Sequence, residues 1–123
     1  MVDRTFAEQF ATEWIAAWNS HDLDHVLSLY ARDFEMWSPF ITQIAGEPSG
    51  RLKGKRAVGL YWAKGLQLIP NLHFELISTL IGAGSITVYY KGHRGLAAEV
   101  FIFGPDMKVS SAIAHYALEP PQE

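Results

Sequence analysis

A chain of 123 residues with a net charge of −3, of which 49% are hydrophobic and 19% charged, is typical of one soluble globular domain spanning residues 1–123. The absence of cysteine excludes disulfides, thiolate metal sites and cysteine nucleophiles. The basic run 51–56 is too short for a nucleic-acid footprint, and no apolar run approaches a membrane span. The N-terminus lacks the apolar stretch of a signal peptide, so we expect a cytoplasmic protein without nucleic-acid or membrane partners.

Apolar residues at helical spacing characterise the N-terminal part of the chain. The stripe that predicts a first helix consists of Phe6, Phe10, Trp14, Ala17 and Trp18. Either Asp3 or Thr5 can cap this helix. A second stripe within residues 23–30 predicts a short helix that ends near Ala31. Residues 33–40 are predicted to form a brief strand stopped by Pro39, and residues 41–54 a loop rich in glycine and proline.

A third helix and four strands are predicted for the rest of the chain. The helix has an apolar face made of Val58, Tyr61, Trp62, Leu66 and Ile69, and it ends at Pro70. The strands occupy residues 72–82, 85–92, 96–104 and 108–118, and short turns between them favour antiparallel pairing. Residues 119–123 are predicted to be a frayed tail. The order predicts an α+β domain, with three N-terminal helices packed on the concave face of a curled, mostly antiparallel sheet.

The strand 96–104 carries one carboxylate, Glu99, among apolar residues on both faces. Burying a carboxylate is costly, so this residue marks a candidate site between helices and sheet. If a two-residue turn closes the following hairpin, Glu99 pairs with Ala112 and has Ala114 and Tyr116 among its neighbours on the same face. A one-residue bulge would instead bring Ile113 and His115 beside it. A functional acid and a structural carboxylate held by a tyrosine, or by a charge across a dimer interface, both fit this pattern.

Aromatic residues, histidines and glycine motifs indicate which kinds of site the sequence favours. Aromatic residues at helical spacing belong more often to a core than to a binding site, but four tryptophans in a domain of this size also favour a lined pocket. His21 and His25 stand four residues apart on the second helix without a matching third ligand, so we expect no metal. No nucleophile elbow and no nucleotide-binding glycine motif occurs, so we expect no cofactor.

Three stretches carry a family resemblance: WIAAWNSHDLDHVLSLYARDFEMWSP, GKRAVGLYWAKGL and AAEVFIFGPDMKVSSAIAHYA. Together they resemble the nuclear transport factor two/SnoaL-like superfamily over nearly the whole chain. The resemblance implies a cone-shaped, cystatin-like α+β fold, in which residues 41–54 form a lid or entrance. It does not imply one function, because the superfamily includes isomerases, cyclases, epoxide hydrolases and non-enzymatic modules.

The ketosteroid isomerase branch of this superfamily offers the most informative match. Its strand-borne acid, which helps form an oxyanion hole, is matched by Glu99. Its aspartate base is matched by Ser38, and its oxyanion tyrosine by Trp14. A serine does not shuttle protons at neutral pH without a helper, which argues against isomerisation by that route. Two further tyrosine positions are matched by Tyr30 and Trp62. SnoaL-like cyclases also use an acidic pocket residue, which suits Glu99 better.

Three functions stay open at this point: a cofactor-independent isomerase, cyclase or hydrolase with Glu99 as acid or base; a module that only holds a small apolar ligand; and a protein-interaction module. The predicted ligand-binding residues are Trp14, Trp18, Tyr30, Ser38, Tyr61, Trp62, Phe101 and Tyr116. The sheet face that carries Leu96, Ala98, Val100 and Ile102 is predicted to be covered by a second copy in a homodimer.

Overall fold

The computed structural model describes residues 1–118, so the predicted tail 119–123 lies outside the described residues. In chain order its elements are α1 (Arg4–Asn19), α2 (Leu23–Ser28), β1 (Tyr30–Trp37), α3 (Pro39–Ala45), β2 (Arg51–Lys53), α4 (Lys55–Leu68), β3 (Glu75–Gly82), β4 (Ser85–Gly92), β5 (Gly95–Phe103) and β6 (Val109–Tyr116). The predicted α+β class is confirmed, as is the mostly antiparallel sheet.

The strands form one sheet in the order β2-β1-β6-β5-β4-β3. Every neighbouring pair is antiparallel except β1 and β6, which run parallel because the last strand returns beside the first. The helices cover one face of this sheet. The core between them joins the helical residues Phe10, Trp14, Trp18, Val58 and Trp62 to the strand residues Ile86, Val88, Tyr90, Phe101 and Ala112.

Helix α1 follows its predicted stripe and is fixed at both ends. Asp3, one of the two predicted caps, accepts a hydrogen bond from the Phe6 amide at 2.9 Å. At the other end the Asn19 side chain brackets the backbone of Phe74, donating to its carbonyl at 2.9 Å and accepting from its amide at 2.6 Å. The segment after α4 is therefore held against the end of α1.

The predicted boundaries between residues 28 and 38 were wrong. Helix α2 stops at Ser28 rather than near Ala31, and β1 begins at Tyr30 rather than at residue 33. The cause is tertiary, because β1 pairs with β6 from Tyr30 onward and this pairing outweighs the helical spacing of the apolar residues. Tyr30 is consequently a strand residue, buried in the core.

The prediction of a loop over residues 41–54 was also wrong. This segment contains most of α3 and all of β2. Ser38 caps α3 by accepting a hydrogen bond from the Phe40 amide at 3.2 Å, and Pro39 occupies the first helical turn. Gly46 ends the helix in the left-handed region, with φ of 74°. Pro39 begins a helix rather than merely stopping a strand.

The β5–β6 hairpin differs from both predicted registers. Five residues, 104–108, connect the strands, and a bulge at Ser110 shifts the pairing by one more residue. Glu99 therefore pairs with Ala114, and the predictions of Ala112 or Ile113 opposite it were wrong. The turn and the bulge together displace the register by an even number of residues, so Ala114 and Tyr116 still share the face of Glu99, as predicted.

Candidate functional site

Glu99 lies in the middle of the sheet, on the face that the helices cover. It pairs with Val88 on β4 and Ala114 on β6, and only 4% of its surface is exposed. Burial raises the pKa of its carboxyl from 4.5 to about 8, and the nearby Tyr90 hydroxyl partly offsets that rise. A carboxyl with this pKa is mostly protonated at neutral pH, so it can donate a hydrogen bond as well as accept one.

Four tyrosines from four different elements lie near this carboxyl: Tyr30 of β1, Tyr61 of α4, Tyr90 of β4 and Tyr116 of β6. Burial is the largest cause of the raised pKa of each hydroxyl, and the charge of Glu99 raises it further. These hydroxyls stay protonated near neutrality. They are neutral hydrogen-bonding groups in the neighbourhood of one titratable acid.

Two indole N–H groups near the site differ in their surroundings. Trp14 Nε1 donates a buried hydrogen bond to the Tyr30 hydroxyl at 2.9 Å. The donor that matches an oxyanion-hole tyrosine is therefore already used within the protein. Trp18 Nε1 is buried, and no hydrogen-bond partner for it exists among residues 1–118. A ligand or water beside Trp18 is the remaining source of a partner for this donor.

A cavity of about 300 Å³ opens between α1, α3, α4 and the sheet. It is lined by six of the residues singled out from the sequence: Trp14, Trp18, Tyr61, Trp62, Glu99 and Tyr116. Tyr30 and Phe101 do not line it; their rings are buried in the core, where both pack near Trp14. Ser38 lies outside its walls as well, at the start of α3 beside a separate shallow depression.

Other lining residues could not be singled out from helical stripes. They include Met36, Phe40, Ile44, Leu72, Phe74 and Tyr90, whereas the lining residues Leu66 and Ile69 belong to the predicted apolar face of the third helix. For Tyr90 a usable signal exists in the sequence. His93 and Arg94 form a two-residue turn, which pairs Gly92 with Gly95 and places Tyr90 diagonally beside Glu99 on the same face. Phe40 and Ile44 reach the cavity because they lie on α3, a helix that was not predicted from the sequence.

Polar side chains stand at the opening of the cavity. His93 and Arg94, in the β4–β5 turn, and Gln43 of α3 line it and are exposed to solvent. The Arg94 guanidinium carbon lies 4.9 Å from the centroid of the Phe40 ring, a cation–π contact. The Phe40 ring in turn packs on Tyr116, with 4.4 Å between ring centroids. The segment that the resemblance places at an entrance therefore contributes α3 to this opening.

The two histidines predicted to lie on the second helix have structural partners, but only His25 is on α2, because His21 precedes the helix in a turn with φ of 59°. His21 Nε2 lies 2.8 Å from the Leu72 carbonyl, and His25 Nε2 lies 2.8 Å from a Glu13 carboxylate oxygen. Across residues 1–118, no three His, Cys, Asp or Glu side chains converge as a metal site would require. Within the same range, no helix has the length and apolar character needed to cross a membrane.

Solved structures of similar shape support the fold. A SnoaL-like protein of unknown function from Burkholderia thailandensis is 60% identical, with a TM-score of 0.91 over 94% of this chain and 98% of that one. A protein with a cystatin-like fold from Methylobium petroleophilum is 15% identical, with a TM-score of 0.73 over 99% and 81%. SalBIII, an epoxide hydrolase/cyclase-like enzyme of pyran ring formation in salinomycin, is 14% identical, with a TM-score of 0.71 over 96% and 95%.

The two more distant structures show the fold alone, including the cystatin-like cone that the resemblance implied. Comparison with curated proteins gave no significant match. The profile of the SnoaL-like domain matches residues 11–116, which include every residue lining the cavity. The chain belongs to the SnoaL-like domain family.

Proposed function

We propose that this domain binds a small, largely apolar molecule in its cavity, and that Glu99 acts on that molecule as a general acid or base. The reaction is of the isomerase, cyclase or hydrolase type and needs no cofactor. One observation carries the proposal: a buried carboxyl lines a cavity together with Tyr61, Tyr90 and Tyr116, and the other inner walls are largely aromatic and aliphatic. Apolar walls with a few convergent polar groups characterise small-molecule sites.

The chemistry follows from the protonation state of Glu99. With a pKa of about 8, the carboxyl holds its proton at neutral pH and can pass it to a carbonyl, ether or epoxide oxygen of a bound substrate. A pKa close to the working pH lets the same group recover the proton later in the cycle. SalBIII shares the fold and is described as an epoxide hydrolase/cyclase-like enzyme, and an acid beside a ring oxygen suits that class of reaction.

A second candidate function is binding without turnover. Of the positions matched to the base and the oxyanion hole of the isomerase branch, only Glu99 is available to a ligand. Ser38 caps α3 outside the cavity walls, and the Trp14 N–H is bonded to Tyr30. A site with one acid and no second catalytic group suits a module that holds its ligand unchanged.

Replacement of Glu99 by glutamine tests the proposal. With mono- and bicyclic epoxides and β,γ-unsaturated ketones as substrates, Glu99→Gln is expected to lower kcat by about 10²- to 10⁴-fold, because the glutamine amide is too weak an acid to transfer a proton. Product formation is measured by gas chromatography, and substrate binding by calorimetry. Glu75→Gln, an exposed carboxylate on β3, is the matched control and keeps wild-type rates.

The outcomes separate the two candidates. Turnover that survives in Glu99→Gln contradicts the acid/base role. Binding to the wild-type protein without any product supports the second candidate instead. If none of these compounds raises the melting temperature of the wild-type protein, the cavity is not a site for this class of molecule.

We also propose that two copies of the chain associate through the outer face of the sheet. Leu80, Leu96 and Ile102 are 54%, 42% and 41% exposed there, beside the half-buried Ala98 and Val100. A contiguous apolar face on a small domain is usually covered, and two-fold pairing of one face with itself is the commonest arrangement.

Light scattering at micromolar concentration is expected to give twice the mass of one chain. Ile102→Lys, which places a charge on that face, is expected to give a monomer. Leu60→Lys, at an exposed position of α4, is the matched control and keeps the dimer. A monomeric wild-type protein contradicts the proposal.

A further inference from the structure

The charged groups of the cavity are concentrated at its two ends. Within residues 1–118, Arg94 is the only lysine or arginine in the cavity wall, and Glu99 is the only aspartate or glutamate. Glu99 is buried in the sheet, whereas Arg94 is exposed at the opening, with His93 beside it. The wall between them is made largely of aromatic and aliphatic side chains. The site therefore has an apolar middle with a different polar group at each end.

The Arg94 guanidinium lies against a pair of packed aromatic rings. It lies over the Phe40 ring at 4.9 Å, and Phe40 packs on Tyr116 at 4.4 Å between centroids. Tyr116 pairs with Ala97, two residues along β5 from Glu99. A guanidinium that lies over a ring can still present N–H groups at its edge, which bind a carboxylate with two hydrogen bonds. The contact with Phe40 restricts the side chain and so lowers the ordering cost of binding an anion.

We propose that the ligand of this cavity is a monoanion: an apolar ring system whose carboxylate pairs with Arg94 at the opening and whose other end carries an oxygen acceptor that reaches Glu99. The proposal rests on the proposed function, since it specifies what occupies the same cavity. From residue 94 to residue 99 the strand rises about 16 Å, part of which the arginine side chain spans. A ligand of bicyclic or tricyclic size fits the rest.

The charge distribution disfavours the opposite orientation. An anion at the inner end would find neutral hydrogen-bond donors but no cation among the lining residues of the described chain, so the cost of burying its charge would not be offset. An anion at the opening meets Arg94 and keeps part of its hydration, which lowers the cost of binding a charge. Arg94 is therefore expected to determine specificity for the charge of the ligand rather than to take part in the chemistry.

A pair of isosteric probes tests this assignment: 2-naphthoate, with a carboxylate, and 2-naphthamide, with a neutral amide. In calorimetry on the full chain at pH 7, we expect the wild-type protein to bind naphthoate about five- to tenfold more tightly than naphthamide. Arg94→Met is expected to remove that preference by weakening naphthoate while leaving naphthamide within about twofold. Arg94→Lys, which keeps the charge but loses the planar fork, is expected to keep part of it.

Arg51→Met is the matched control. The Arg51 guanidinium carbon likewise lies over an aromatic ring, 5.6 Å from the centroid of Trp37, and its Nη2 pairs with a Glu35 carboxylate oxygen at 2.8 Å. Arg51 does not line the cavity. Loss of the Arg51 guanidinium is expected to leave the affinities for naphthoate and for naphthamide unchanged. If naphthamide binds as tightly as naphthoate, or if Arg94→Met leaves the preference intact, the anion assignment is overturned while the cavity stands as a ligand site. If neither probe binds, the assignment and the proposed ligand site both fail.

Discussion

Raising the pH from 4.5 to about 8 is expected to lower the free energy of unfolding of the wild-type domain by about 3 to 5 kcal/mol through Glu99 alone. The native state holds a proton on this buried carboxyl that the unfolded chain releases at its ordinary pKa of 4.5. The stability due to protonated Glu99 is complete below that pKa. It falls as the pH rises and is lost once the pH passes the native pKa of about 8. One pKa unit corresponds to about 1.4 kcal/mol, so the rise of the Glu99 pKa from 4.5 to about 8 gives the upper limit of this change in unfolding free energy.

Urea denaturation across this pH range measures the effect. Glu99→Gln, which stays neutral throughout, is expected to flatten the curve and to exceed the wild-type protein in stability at the alkaline end. Glu75→Gln, at an exposed position, is expected to keep the wild-type slope. A Glu99→Gln curve that runs parallel to that of the wild-type protein would show that the native carboxyl ionises like an exposed one, and the acid role proposed for it would fail with that result.

Trp14→Ala is expected to cost about 3 to 5 kcal/mol of stability. Trp14 is 1% exposed, and its ring packs against Trp18, Phe74, Tyr90 and Phe101. Its removal leaves a void between α1 and the sheet that these rings fill only in part. Leu60→Ala is the matched control: Leu60 is 68% exposed on α4, and its loss is expected to cost less than about 0.5 kcal/mol.

A double-mutant cycle separates the hydrogen bond of Trp14 from its packing. Trp14→Phe and Tyr30→Phe each remove one partner of the buried 2.9 Å bond while keeping an aromatic ring. The coupling between the two changes, measured by urea denaturation, is expected to be about 1 kcal/mol. Strict additivity would mean that the bond contributes nothing to stability, and that the Trp14 N–H is available to a ligand after all.

The regular elements of the fold were predictable because their signals are local. The spacing of apolar residues predicts α1 and α4, and the glycine-rich turns predict the hairpins of β3 to β6. Helix α3 could also have been predicted, since Ser38, Pro39 and Gly46 are ordinary helix start and stop signals. The parallel pairing of β1 with β6 could not be predicted, because it joins distant parts of the chain and no short segment encodes it.

The candidate site was predictable around Glu99 and less so elsewhere. The position of Glu99 in an apolar strand predicted its burial, the family resemblance placed Trp14 and Trp62 at the same site, and the helical stripe turned Trp18 toward the core beside them. The cluster of tyrosines depends on three strands and α4, which come together only in the folded domain. The structural duties of Ser38, as a helix cap, and of Tyr30, as the partner of Trp14, likewise depend on contacts that sequence spacing does not reveal.

The connection between β5 and β6 sets a rule for how relatives of this domain can change in length. Its five-residue turn and its bulge give offsets that combine to an even number, so Ala114 and Tyr116 share the helix-side face with Glu99. One residue gained or lost here, and taken up in the strand pairing, would turn Tyr116 to the outer face and bring His115 to the cavity side, while Glu99 stays where its pairing with β4 holds it. Changes of two residues would leave Tyr116 on the cavity side. The parity of this connection, more than the identity of its residues, decides which β6 side chains a related chain places beside the acid.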